Sequence, residues 1–100
     1  MLTQLRIYTI NRGRMDDFVR AWRDGIYPLR LRYGFRISGA WVSETTNQFF
    51  WVLNYGGPEP WDDVERAYSE SPERAALEPD PSHYIAHAEQ FFVSPMLPQG

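Results

Sequence analysis

The sequence predicts an α+β fold in which two helices cover one face of a four-stranded antiparallel sheet. Near the N-terminus, a strand pattern is followed by a long stripe of apolar residues at helical period. Two further strand patterns are joined by a short turn, and the second of them is apolar on both faces. A chain of 100 residues has room for one domain, which we place at residues 1–100.

The first strand is predicted at Leu2 to Ile10, because its side chains alternate between two faces. One face carries Leu5, Ile7 and Thr9, and the other carries Gln4, Arg6, Tyr8 and Ile10. The turn that ends the strand contains Gly13, which adopts a positive φ angle without steric cost.

A helix is predicted next, from a stripe at steps of three and four: Met15, Phe18, Val19, Trp22, Ile26, Leu29 and Tyr33. Pro28 removes a hydrogen bond to the carbonyl of Asp24, and Gly25 weakens the same turn. We therefore expect a kink at this point, and we expect the helix to end at Gly34.

The second and third strands are predicted to form a hairpin. The second spans Phe35 to Ser43, with Phe35, Ile37 and Trp41 on one face, and the turn is at residues 44–47. The third spans Gln48 to Tyr55 and contains an uninterrupted apolar run at residues 49–53. A run without alternation predicts that both faces of this strand are shielded from water.

The second helix is predicted to start after Pro60, with the apolar stripe Trp61, Val64, Ala67 and Tyr68. A short helical turn begins at Ser71-Pro72, and the last strand spans Tyr84 to Val93 before a Pro-rich tail. The order β-α-β-β-α-β is that of ferredoxin-like domains, in which the first and third strands are central. Because one face of the third strand stays uncovered, we predict a homodimer that pairs sheet to sheet.

Composition excludes several classes of site. Without cysteine there are no disulfides, thiolate nucleophiles or iron–sulfur clusters, and without lysine there is no Schiff base. Residues 1–36 hold eight of the ten arginines, whereas the net charge is −3, which argues against nucleic-acid binding. The N-terminus has no signal-peptide pattern, and no apolar run is long enough to cross a membrane. We expect a cytoplasmic protein without a membrane partner.

Arg6 and Tyr8 are the first candidate functional residues, because they share one face of a central strand. A charged side chain there must be paired or must face a wet pocket. In the functional interpretation, Arg6 holds an anionic or enolate oxygen of a ligand and Tyr8 acts as a donor or weak acid. In the structural interpretation, Arg6 forms an ion pair with Glu89 on the last strand.

The two histidines, His83 and His87, are predicted to lie in a loop and a strand. At this spacing on a strand they are about 13 Å apart, too far to share one metal ion, so we predict no metal site. His87 is a candidate general base or acid, and the alternative is a surface or interface histidine.

The aromatic residues are candidates for the walls of a substrate pocket. Four tryptophans in 100 residues are difficult to pack in a small core, and a crevice between them suits a flat hydrophobic ligand. The alternative for each is plain packing. The predicted substrate-binding residues are Trp22, Tyr27, Trp41, Trp51, Asn54, Trp61 and Tyr68.

The sequence resembles the NIPSNAP family over nearly its whole length. The resemblance is carried by the Leu5–Thr9 strand, Gly13, Phe18, Trp22, Pro28-Leu29, Gly34-Phe35, Gly39-Ala40-Trp41, Tyr55-Gly56-Gly57-Pro58, Tyr68, Ser71-Pro72-Glu73, Ala86, Ala88 and Glu89. It implies a dimeric α/β barrel, formed by two sheets with the helices outside, and a pocket between the sheet and the helices of each subunit. Relatives in this superfamily include cofactor-free monooxygenases, polyketide cyclases, isomerases and haem-degrading enzymes.

We therefore predict a small homodimeric enzyme without a cofactor that acts on a hydrophobic aromatic or polyketide-like small molecule. The reaction would be a monooxygenation, cyclisation or isomerisation, with Arg6, Tyr8 and His87 as the catalytic residues. The alternatives are a non-catalytic small-molecule-binding or accessory module, and a haem-binding protein that uses Trp, Asn54 and His87.

Overall fold

The computed structural model describes residues 1–98, so the end of the predicted tail, residues 99–100, lies outside the described residues. Its elements are β1 (Leu2–Ile10), α1 (Met15–Ala21), a π-helical turn (Trp22–Ile26), α2 (Tyr27–Arg32), β2 (Arg36–Ser43), β3 (Gln48–Tyr55), α3 (Trp61–Ser69), α4 (Pro72–Ala75), a 3₁₀ turn (Pro81–Tyr84) and β4 (Ile85–Phe92). The strands form one antiparallel sheet in the order β2-β3-β1-β4. The ferredoxin-like α+β fold, with β1 and β3 central, is thus confirmed.

The apolar stripe of the first helical segment faces the sheet as predicted. Phe18, Trp22, Ile26 and Leu29 are buried in the core, and Met15, Val19 and Tyr33 pack at its edge. Aromatic rings fill the layer, since Trp22 contacts the rings of both Phe49 and Trp51. Burial of this stripe is the main stabilising contribution of the helical segment.

The kink expected near Pro28 takes the form of the π-helical turn. Pro28 has no amide hydrogen to give to the carbonyl four residues earlier. The chain widens instead, and the amide of Tyr27 donates to the carbonyl of Trp22, five residues back. A π turn contains about one residue more than an α turn, so it changes which residues of α2 face the sheet.

A β-bulge corrects the predicted faces of β2. Ile37 pairs with Leu53 but Gly39 pairs with Val52, so Ser38 is an extra residue. One extra residue inverts the alternation that follows. Trp41 therefore lies on the face opposite to Ile37, and the prediction that placed both on one face is wrong.

The two faces of the sheet differ in how they are covered. On the helix side, β3 contributes Phe49, Trp51 and Leu53, which are at most 3% exposed. On the other side, which we call the open face, Phe50 and Val52 are half-buried. The helix side of β3 is therefore shielded from water as predicted, and shielding of its open face stays a prediction.

Neighbouring strands extend this apolar open face. It continues through Leu5 and Ile7 on β1 to Phe91 on β4 and Trp41 on β2, and the last two are 49% and 57% exposed.

No helix within residues 1–98 has the length and apolar character needed to cross a membrane.

Candidate functional site

A chamber of about 240 Å³ lies between the sheet and the helices. Its polar walls come from β1, α2, α3 and α4, from the 3₁₀ turn and from β4, and its apolar walls come from the aromatic layer and from Ile26 and Ile85. Its lining includes Arg6, Tyr8, Arg30, Trp51, Glu65 and Tyr68. A wider groove near Tyr33 and Tyr55 is more open and has no buried charge, so we place the candidate site in the chamber.

Two buried arginines converge on one carboxylate in the chamber. Arg6 on β1 is 7% exposed, and its Nη2 lies 3.3 Å from Oε1 of Glu65 on α3. Arg30 on α2 is 3% exposed and donates through Nη1 to Oε2 and through Nη2, at 3.1 Å, to Oε1. We call these three residues the Arg6–Glu65–Arg30 triad.

The ion-pair interpretation of Arg6 is thus right in kind but wrong in its partner. Glu89 pairs in register with Ile7, which places it on the open face, away from the Arg6 side chain. It lies 3.4 Å from Nε2 of His87 instead. The partner of Arg6 comes from the helix layer because the helix-facing side of β1 is covered by α3.

Aromatic rings surround the guanidinium of Arg30. Its central carbon lies 3.7 Å from the ring centre of Tyr68, 4.8 Å from that of Phe35 and 5.9 Å from that of Trp51. Cation–π contacts of this kind help to offset the loss of hydration when the charge is buried. The rings thereby fix the position of the Arg30 guanidinium, which is unusual because few buried side chains in proteins are charged.

Tyr8 places a hydroxyl beside the guanidinium of Arg6. Its oxygen accepts a hydrogen bond from Nη1 at 3.4 Å, and Gln4 accepts one from Nε at 2.8 Å. Nε and Nη1 of Arg6 thus donate to its two neighbours on the same face of β1. The Tyr8 ring packs edge-on against Trp51, which fixes it in the chamber wall.

The charged groups of the triad shift one another's pKa values. Burial opposes charging of Arg6, but Tyr8 and Glu65 outweigh it and raise the pKa of its guanidinium. Burial would raise the pKa of Glu65, but hydrogen bonds and charges from Arg30 and then Arg6 keep that pKa below its ordinary value. Burial raises the pKa of Tyr68, so its hydroxyl keeps its proton at neutral pH.

The structure brings only part of the predicted aromatic set to the chamber. Trp51 and Tyr68 line it, and Trp22 packs against the rings of Trp51 and Tyr27. Trp61 packs between Phe35 and Phe92, outside the chamber walls.

Two predicted binding residues lie on the open face of the sheet. Trp41 stands over Gly39 there. Asn54 accepts a hydrogen bond from Thr3 at 2.8 Å and donates one to Ser38 at 3.0 Å. Neither lines the chamber.

The structure does not bring His87 to Arg6 and Tyr8. His87 pairs with Thr9 on the open face, and its side chain is 66% exposed. His83 lies in the 3₁₀ turn, 78% exposed, with Nε2 3.8 Å from Asp80. Within residues 1–98, no three His, Asp or Glu side chains come together as a possible metal site.

Arg30 and Glu65 were not predicted from the sequence as site residues. The signal that could have found them is helical spacing, because Arg30 follows Ile26 by four residues and Glu65 follows Trp61 by four. Each therefore borders an apolar stripe, where a long charged side chain can reach into the layer beneath.

Together, the fold and the site define a ferredoxin-like domain with a buried, charged chamber between sheet and helices. The family model NIPSNAP matches residues 3–97, so the chain belongs to the NIPSNAP family. No curated protein sequence matches this chain significantly.

Solved structures share the fold. An uncharacterized NIPSNAP domain protein from Burkholderia xenovorans superposes with a TM-score of 0.83 at 23% identity, covering 99% of this chain and 100% of that one. A NIPSNAP family protein of unknown function from Agrobacterium tumefaciens gives 0.83 at 15% identity, covering 95% of this chain and 87% of that one. A provisionally assigned antibiotic biosynthesis monooxygenase from Nitrosomonas europaea gives 0.71 at 13% identity, covering 99% and 93%.

Proposed function

We propose that this protein is a small homodimeric enzyme that acts, without a bound cofactor, on a hydrophobic aromatic or polyketide-like molecule. The reaction is a monooxygenation, cyclisation or isomerisation, and the proposed location is the cytoplasm. The observation that carries the proposal is the chamber, which combines aromatic walls with the buried Arg6–Glu65–Arg30 triad and the Tyr8 hydroxyl.

The chamber is suited to stabilising negative charge on an oxygen. The three reaction types share an enolate or phenolate as the species to be stabilised. A guanidinium and a phenol hydroxyl held side by side, away from bulk water, stabilise such an oxygen effectively. In the proposal, Arg6 holds the oxygen and Tyr8 donates a hydrogen bond or a proton to it. His87 lies on the open face, so this chemistry does not depend on it.

The open face supports the homodimer. Its apolar side chains run across all four strands, and a contiguous apolar face of this kind is typical of an interaction surface. A second copy related by two-fold symmetry would cover it with the same residues. In that arrangement the chambers stay on the outer, helix side of each sheet.

The proposal is tested by native mass spectrometry of the protein purified from its own host. This measurement gives the number of subunits and the mass of any retained compound. The compound is then incubated with fresh protein in air and analysed by liquid chromatography, which separates isomers as well as oxidised products. Conversion supports the enzyme. A bound compound that is unchanged after prolonged incubation contradicts it and supports a non-catalytic binding module.

Tyr8→Phe tests the assigned residue once a substrate is known. We expect at least tenfold lower turnover, because the variant keeps the ring but loses the hydroxyl. Tyr33→Phe is the matched control, since its hydroxyl contacts only the exposed Glu73 and lies outside the chamber. Equal turnover in wild type and Tyr8→Phe would remove Tyr8 from the mechanism.

A further inference from the structure

The chamber walls contain hydrogen-bond donors that have no acceptor. Nε of Arg30, Nε1 of Trp51 and the hydroxyl of Tyr68 are all buried without a hydrogen-bond partner among residues 1–98. The first two can only donate, and the third keeps its proton because burial raises its pKa. A buried donor without an acceptor costs about 1–3 kcal/mol, so three in one wall are unusual for a finished core.

The acceptors that contact the two buried arginines are already occupied. Glu65 is the only acid among the described residues that line it. Its Oε1 accepts from both Arg6 and Arg30, and its Oε2 accepts from Arg30 again. Gln4 and Tyr8 accept the other hydrogen bonds of Arg6. The further polar residues of the lining without a charge, Ser69, Ser82 and Gln90, are exposed.

The charge in the chamber is also unbalanced. Two buried guanidiniums face one carboxylate, which leaves one positive charge uncompensated. Arg74, a third arginine in the lining, is paired with Asp80 at 3.2 Å and does not change this balance. In a low-dielectric space, one excess charge attracts an anion strongly.

We propose that the chamber binds its ligand through an oxyanion, either a carboxylate or a phenolate or enolate. The oxyanion takes up the positive charge shared by Arg30 and Arg6 and accepts hydrogen bonds from the spare donors of Arg30, Trp51 and Tyr68. This inference rests on the proposed function and narrows its substrate to acidic compounds. About 240 Å³ equals roughly eight water volumes, which suits a molecule with a single aromatic ring.

The test uses 4-nitrophenol, a single-ring probe whose anion is coloured and whose neutral form is not. Its ionisation is titrated by visible absorbance with and without excess protein. We expect the apparent pKa of the bound probe to fall by about one unit, which corresponds to tenfold tighter binding of the anion. Occupancy of the chamber is followed by the indole N–H signal of Trp51 in proton–nitrogen NMR spectra.

Two variants separate an anion site from a structural ion pair. Glu65→Gln removes the competing negative charge, so we expect the probe anion to bind at least threefold more tightly, although the fold is less stable. Tyr68→Phe keeps the ring over Arg30 and removes one donor, so we expect binding at least threefold weaker. Tyr33→Phe is the control for both. If both variants bind the anion like wild type, the proposal is overturned.

Benzoate and its neutral analogue benzamide distinguish a carboxylate from a phenolate source. Tighter binding of benzoate supports a carboxylate ligand, and a preference confined to the nitrophenolate supports a phenolate or enolate. If the pKa of bound 4-nitrophenol rises or stays unchanged and benzamide binds as well as benzoate, the anion inference fails while the hydrophobic pocket stands. If no probe moves the Trp51 signal, the inference and the proposed substrate class both fail.

Discussion

At the scale of single residues, Glu65 is shared between two cationic side chains, and its own side chain is 26% exposed. Arginine stays protonated in proteins, so two guanidiniums this deeply buried would destabilise the fold strongly without a carboxylate between them. The rings around Arg30 reduce the cost of burial but do not neutralise it. Glu65 is therefore the residue that allows the chamber to exist as a charged space.

Glu65→Gln is expected to lower the free energy of unfolding by about 2–3 kcal/mol at pH 7. The folded-state pKa of Glu65 lies below the unfolded value near 4.5. Its stabilisation is therefore present above that value and is lost as pH falls through the folded-state pKa. Between pH 7 and about pH 3, the wild type should lose more stability than the variant in urea unfolding. Equal losses would contradict this role.

The sequence could indicate the burial of Arg6 but not its partner. Arg6 alternates with residues of a predicted central strand, so its position on one face follows from period two alone. Its partner depends on how α3 is rotated and placed over the sheet, and the alternation of residues along a strand carries no information about that placement. Glu89 was the nearest acid in the predicted topology, and only the register placed it on the other face.

At the scale of elements, two irregular elements explain the other differences from the sequence prediction. The π-helical turn rotates α2 so that Arg30 and Leu29 both face the core, at 3% and 1% exposure. The bulge at Ser38 turns Trp41 to the open face. Periodicity assumes regular elements, and the inserted residue in β2 inverts the predicted face of Trp41. The π turn keeps the predicted apolar stripe on the core side and places Arg30 beside it. Pro28 indicated where the helix departs from regularity but not in which form.

The short helix α4 is held by the side chain of Ser71. Its Oγ accepts a hydrogen bond from the Arg74 amide at 3.0 Å and donates one to the carbonyl of Tyr68 at 2.7 Å. Tyr68 and Arg74 both line the chamber, so this cap joins two of its walls. The cap was predictable, because a serine followed by proline is typical of a helix N-terminus.

Ser71→Ala is expected to destabilise the protein by about 1–2 kcal/mol, because the variant loses the cap and leaves the partly buried amide of Arg74 unpaired. The measurement is urea unfolding followed by circular dichroism. Ser69→Ala is the matched control, since its exposed hydroxyl makes one long hydrogen bond of 3.4 Å. A loss as small in Ser71→Ala as in Ser69→Ala would show that the cap contributes little.

At the scale of the whole molecule, the sequence predicted the strand order and the uncovered apolar face. The strand order follows from the β-α-β-β-α-β sequence of elements. The uncovered face follows from the apolar run in β3, which needs cover on two sides while the described residues supply one helical layer. Cover of the second side by another copy would be a contact between two molecules, which the fold of one chain does not contain. The homodimer therefore stays a proposal that experiment can decide.

Val52→Glu is expected to weaken the homodimer by at least a hundredfold, because a carboxylate at the centre of the open face would be buried without a partner. Val52 lies on central β3, opposite Leu5 and Gly39 of its neighbours. Val42→Glu is the matched control, since Val42 pairs with Phe49 on the helix side and is 41% exposed.

The measurement is sedimentation velocity across micromolar concentrations, with circular dichroism to verify folding. Wild type and Val42→Glu should sediment as dimers, whereas Val52→Glu should sediment as a folded monomer. A wild type that is monomeric throughout would overturn the sheet-to-sheet dimer, because the open face would then be stable in water on its own. A Val52→Glu protein that stays dimeric would place the interface on another surface, and the apolar open face would then need another explanation.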